Sequence, residues 1–259
     1  MESQEQKQLA KSEQTRIKLA LTFEISDAEL SHLTGLFRNL KIDENFSPGQ
    51  KAINLVKFVK HAIDLKFDKK QIDENHEFVV HHGIPDIDTT KAKLVNGMFL
   101  TFMEFNPGIP GFFSIISGIG SAGFGFGKFT IDGLPEKLSL KELKSFKIDK
   151  SALLECQAKY FNRNLVPEIL SKYPNVRIGV YCQITGCALI PFYAAALKKF
   201  DQDGNSDIHI LQQAAEMVEK RFSPDSERLE RFISQNLFKV IFEELFNYES
   251  TVYSIFESY

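Results

Sequence analysis

The sequence predicts a mainly α-helical protein, an irregular helical bundle with a minor β element near residues 112–131 and 176–184. Three observations carry this expectation. Apolar residues recur at spacings of three and four through several long windows, serine caps and a Ser-Pro pair mark helix starts, and extended patterning is confined to short stretches. With 259 residues, 43% hydrophobic and 25% charged, the chain can bury a large core. No fixed repeat or low-complexity linker divides it. Residues 1–259 therefore read as a single helical domain, with any subdivision falling in the glycine-rich stretch 105–135.

Residues 2–21 are polar helix formers and read as a solvated first helix. Ser26 and Glu29 have capping-box spacing, after which Leu30, Leu33, Phe37 and Leu40 share a face. Ser47 followed by Pro48 gives a cap and a first-turn proline, and Ala52, Leu55, Val56, Val59 and Ile63 make the helix amphipathic. Residues 68–88 are mixed, with a loop at Gly83, Pro85 and Asp86, and a further helix covers 89–105. Residues 105–127 contain no charge and seven of the 15 glycines, ending in alternating Gly and Phe. That glycine density opposes a helix, so the stretch reads as an extended hairpin ending near Ile131.

Ser139 with Glu142 opens a short helix, Asp149 caps the next, and Pro167 starts or kinks a third. Val176 to Ile184 is rich in β-formers and reads as one strand; from Gly186 the chain reads as helix to Phe200, and again from Asp207. Ser223-Pro224 opens the final helix, whose stripe is Leu229, Phe232, Ile233, Leu237, Val240, Ile241 and Leu245.

Composition narrows the function classes. The formal net charge is −3 and no Lys/Arg block stands out, which argues against nucleic acid. The N-terminus is too polar for a secretory signal, so a cytoplasmic location is expected. Cys156, Cys182 and Cys187 form neither an even disulfide set nor a zinc spacing and read as buried thiols in a reducing compartment. Phenylalanine is abundant at 24 residues while tryptophan is absent, giving an aromatic core without the commonest binding anchor.

The densest chemistry lies at 201–212, Asp-Gln-Asp-Gly-Asn-Ser-Asp-Ile-His-Ile-Leu-Gln. Side-chain oxygens alternate at Asp201, Asp203 and Asn205, Ile208 follows Asp207, and Leu197 and Phe200 are the apolar lead-in. This stretch resembles an EF-hand calcium loop over about residues 192–222, and the resemblance extends to no other part of the chain. It implies calcium held by Asp201, Asp203, Asn205 and Gln212 through side chains and by Asp207 through its carbonyl. The sixth position is Ser206 where such loops carry glycine, and the twelfth is the neutral Gln212 where they carry a bidentate glutamate. The possible partner loop at 73–77 lacks both the glycine and the final glutamate. The same residues also suit a plain helix–helix connection capped by Ser206 or Asp207.

Other patterns carry less. Gly118 to Gly123 fits G-x-G-x-x-G, but no helix start or kinase-like strand follows it. His76 and His81 stand five apart, which does not place both rings on one helical face for zinc. The sequence thus points to a non-enzymatic intracellular protein that binds a protein partner or a lipid surface, with a weak calcium site. Two alternatives stay open: an enzyme or small-ligand-binding protein with a pocket under residues 105–127, and a membrane-active or host-directed bacterial effector. The latter rests on the acidic, aromatic tail of Glu243, Glu244, Glu249, Glu257 and Tyr259.

Overall fold

A computed structural model describes residues 17–20, 23–26, 28–33, 35, 46–66, 68, 70, 85–87, 90, 95, 96, 99, 100, 128–131, 133–234 and 245–257. The glycine-rich run 105–127, the His76–His82 cluster, the candidate partner loop and Leu237, Val240 and Ile241 of the final apolar stripe lie outside them. Across the described residues the fold is mainly α. It comprises β1 (Ile17–Ala20), β2 (Phe23–Ile25), α1 (Pro48–Asp64), β3 (Lys128–Thr130), β4 (Lys137–Ser139) and α2 (Leu140–Leu143). Then follow α3 (Lys150–Asn164), α4 (Pro167–Leu170), α5 (Val176–Phe200), α6 (Asp207–Phe222), α7 (Glu227–Ser234) and α8 (Glu249–Glu257). The strands form two separate antiparallel pairs, β1 with β2 and β3 with β4.

Helix α5 is the axis of the molecule. Its residues from Ile178 to Ala196 are all buried, and β1, α1, α2, α3, α4, α6 and α8 pack around it. By length and composition it could cross a bilayer, yet 94% of its apolar window is buried by the rest of this fold. A helix that is apolar on every side is one that others surround. After the turn at 201–206, α6 returns along α5, and α3 lies against both. On another side α8 packs on α1, where the Tyr181 and Phe246 rings stack at 4.3 Å and Asn96 donates to the Ile255 carbonyl at 2.9 Å.

Local signals placed several starts. Ser47, Ser139 and Asp149 cap α1, α2 and α3, the first two as complete capping boxes. Ser26 and Glu29 pair as the spacing implies ahead of helical residues 28–33. Lys128–Thr130 is extended, but it pairs with Lys137–Ser139, so the described hairpin runs on past Ile131, where the sequence places its end.

Three other expectations need correction. The run 176–184 is the first third of α5 and not a strand. Complete burial removes the periodicity that separates helix from strand, and Asn175 caps the helix by accepting from the Ile178 amide at 2.9 Å. Residues 17–20 form β1 in place of the end of a polar helix, because apolar and polar side chains alternate through Ile17-Lys18-Leu19 and again through Phe23-Glu24-Ile25. Helix α7 begins at Glu227, after a turn at Ser223 whose hydroxyl accepts from the Asp225 amide, so Ser223-Pro224 is not its start.

Two positions in α5 show how close packing and backbone chemistry interlock. Pro191 has no N–H to offer the carbonyl four residues back, that of Cys187. Gln157 of α3 supplies the missing donor, its Nε2 lying 3.2 Å from the Cys187 oxygen. At Gly186 a Cβ would stand 2.5 Å from the Tyr160 hydroxyl and 2.9 Å from Val218, so α3 and α6 approach α5 where only glycine fits.

Candidate functional site

The loop 201–206 is built by its own side chains. Asp201 ends α5, and its carboxylate accepts from the Asn205 amide at 2.7 Å, the Asn205 Nδ2 at 2.6 Å and the Asp203 amide at 3.3 Å. Gly204 takes the left-handed conformation at φ +68, the one residue here free to do so without a Cβ penalty. Ser206 stays extended at φ −64, ψ 151 and caps α6, accepting from the His209 amide. The chain therefore turns at the fourth loop position and enters its helix at the seventh.

Asp207 has a structural task that reaches across the fold. Its carboxylate accepts from Lys198 Nζ at 2.6 Å and from the Asp149 amide at 2.8 Å, while Lys198 also donates to the Lys147 carbonyl at 2.8 Å. These bonds join the end of α5 and the starts of α3 and α6. The Lys198 hydrogen bond, then the Asp149 amide, hold the Asp207 carboxyl below its ordinary value. Gln212 lies in the second turn of α6 on a different side. Asp201, Asp203 and Asn205 line one opening of about 490 Å³, whereas Gln212 lines a separate groove. The structure thus brings three of the five sequence-derived ligands to one opening, commits the Asp207 carboxylate elsewhere and sets Gln212 in the separate groove. Among the described residues no three His, Cys, Asp or Glu side chains form a metal-holding group.

That separate groove, of about 310 Å³, runs between α3 and α6. The two helices are parallel, since Asp149 meets Asp207 at one end and Asn164 meets Glu219 at the other. Ala152, Cys156, Lys159 and Arg163 line one side; Ile208, Gln212, Ala215 and Glu219 line the other. Both rows step by four, three and four, the spacing with which a helix presents one face. The floor is small and apolar near Ala152 and Ala215, and the far end is closed by the Arg163–Glu219 ion pair. Ile208 stands in this groove 59% exposed. The spacing of both rows was legible in the sequence, but their pairing across 56 residues was not.

The remaining reactive groups are committed to the interior. Tyr160 donates to Gln183 Oε1 at 2.9 Å, Gln183 Nε2 donates to the Tyr173 hydroxyl at 2.5 Å, and Tyr173 donates to the Phe222 carbonyl. Burial raises both tyrosines and the thiols of Cys182 and Cys187 well above their ordinary values. Cys156, half-buried in the groove floor, is also raised by burial, and its thiol donates to the Leu211 carbonyl. A protonated thiol is a poor nucleophile. Compared with known proteins, the chain matches no family model, no curated protein and no solved structure.

Proposed function

We propose that this is a non-enzymatic helical binding protein that holds an amphipathic helix of a partner protein in the groove between α3 and α6. One observation carries the reading: Ile208, a large apolar side chain, stands more than half exposed beside two lining rows with helical spacing. The shape favours a helix because an incoming helix presents its own side chains at the same three- and four-residue steps. The commitment of the buried tyrosines and thiols to hydrogen bonds and packing supports binding over catalysis. Free thiols at Cys156, Cys182 and Cys187 suit a reducing compartment.

A displayed library of helical peptides selected on the folded protein tests this reading. Binders should carry apolar residues at three- and four-residue spacing and lose roughly tenfold or more in affinity when Ile208→Glu places a charge in the groove. The same substitution should leave stability within about 0.5 kcal/mol, since the residue is exposed. Selected peptides that bind Ile208→Glu as well as they bind the parent would sink the proposal.

A second reading places calcium at Asp201, Asp203 and Asn205, favoured by their convergence on one opening. Binding there would have to displace the Asn205 side chain from Asp201, and Gln212 would have to turn toward the loop from a separate groove. The affinity would accordingly be in the range of about 10⁻⁴ to 10⁻³ M or weaker. Calcium titration followed at the 203–205 amides by NMR should show saturable shifts that Asp201→Ala abolishes. Unmoved amides at millimolar calcium end this reading.

A further inference from the structure

Residues 128–150 carry six lysines against four acids, in a chain whose net charge is −3, and contain no arginine. The fold sorts this segment by burial. Leu138, Leu140 and Leu143 are buried, with Phe146 and Ile148 packed against the core, while Lys137, Lys141, Lys147 and Lys150 are exposed. Lys128 joins them. In the β3–β4 pair, Lys128 opposite Ser139 and Thr130 opposite Lys137 lie on one face, and the buried Leu138 pairs with Phe129 on the other.

The nearby acids among the described residues are engaged by other groups than these lysines. Glu142 accepts from the Ser139 amide and hydroxyl at 2.8 and 2.7 Å, with Lys199 at 3.4 Å. Glu136 lies 3.5 Å from Lys199, Asp207 is held by Lys198, and Asp149 accepts from the Ala152 amide at 2.7 Å. Lys198 and Lys199, at the end of α5, thus serve the local carboxylates from the inner side. None of Lys128, Lys137, Lys141, Lys147 and Lys150 has an ion pair with a described residue.

We propose that the outward side of residues 128–150 is a contact site for anionic membrane lipid. Dispersed lysines are hydrated point charges that suit a diffuse layer of headgroups, whereas reading phosphates or bases in nucleic acid favours arginine forks. The chain that leads into β3 points the same way: residues 105–127 are uncharged and rich in Gly, Phe and Ile, a composition at home at a headgroup boundary and unsuited to a phosphodiester backbone. The site shares no residue with the groove between α3 and α6, so either assignment can fail alone.

Co-sedimentation of the full chain with phosphatidylcholine vesicles, with and without phosphatidylserine, tests the assignment. The protein should bind the phosphatidylserine vesicles, more weakly as salt rises. Each headgroup-facing lysine contributes about fivefold in partitioning. The combined variant Lys137→Gln, Lys141→Gln, Lys147→Gln, Lys150→Gln should therefore lose at least about tenfold. Lys172→Gln with Lys220→Gln, exposed lysines outside the segment, should change binding by less than about twofold. Far-UV circular dichroism and melting curves confirm that both variants fold. Three outcomes overturn the proposal: no binding of the parent to phosphatidylserine vesicles, undiminished binding of the four-lysine variant, or tighter lysine-dependent binding to duplex nucleic acid than to vesicles.

Discussion

The Glu142 carboxylate is held by bonds that the next helix turn needs anyway. It accepts from the Ser139 hydroxyl and amide, and Lys199 stands behind it; together these bring the carboxyl from the ordinary 4.5 down to about 2. Between those values the unfolded chain binds a proton that the folded chain does not, so this group stabilises the fold fully above about pH 4.5, and that contribution is lost as pH falls through about 2. The side chain is 37% exposed, so solvent screening keeps the energy modest. Urea denaturation of the parent and Glu142→Gln across this window should give stability curves that converge on acidification. Curves that stay parallel would remove the carboxylate from the account. Such a box is visible in sequence because donor and acceptor are three residues apart. Asp207 is the opposite case, since its partners Lys198 and the Asp149 amide are assembled by three different helices.

Helix α5 shows what an element conceals when it is read alone. Its first third reads as a strand because it is rich in β-formers, and Pro191 leaves one backbone carbonyl without its helical donor. Both difficulties are solved from outside the element: neighbours bury every face, and Gln157 of α3 serves the carbonyl that Pro191 leaves without its donor. Gln157→Ala should therefore cost about 1–3 kcal/mol by orphaning that oxygen. In a Pro191→Ala background the restored helical N–H takes over, so the second substitution should recover a large part of the cost. A double-mutant cycle by chemical denaturation reads the coupling directly. Additive effects would mean that Gln157 contributes only packing.

At the scale of the molecule, one buried helix supports two surfaces that adjoin at the Asp149–Asp207 contact but share no residue. Helices α3 and α6 rest on α5 through Gly186, and their outer edges form the groove; α2, which follows β4 directly, also packs on α5, and Lys128, Lys137 and Lys141 of this segment are exposed. The vesicle prediction belongs here, because the excess positive charge is a property of the fold: the net charge is −3, and the lysines become an uncompensated face only once Lys198 and Lys199 have taken up the neighbouring acids. Peptide binding at Ile208 belongs here as well, since neither lining row is a groove without the other.

By itself the sequence determined the mainly helical class, the capped starts of α1, α2, α3 and α6, and extended chain at β3, because caps, turns and helical spacing are interactions within a few residues. Only the tertiary structure decided that 176–184 is helix, that Gln212 faces α3 and not the 201–205 loop, and that Leu138, Leu140 and Leu143 are buried while Lys137, Lys141, Lys147 and Lys150 stay exposed. Each of those depends on burial or on partners tens of residues away, and contacts of that range are set by packing and not by local propensity.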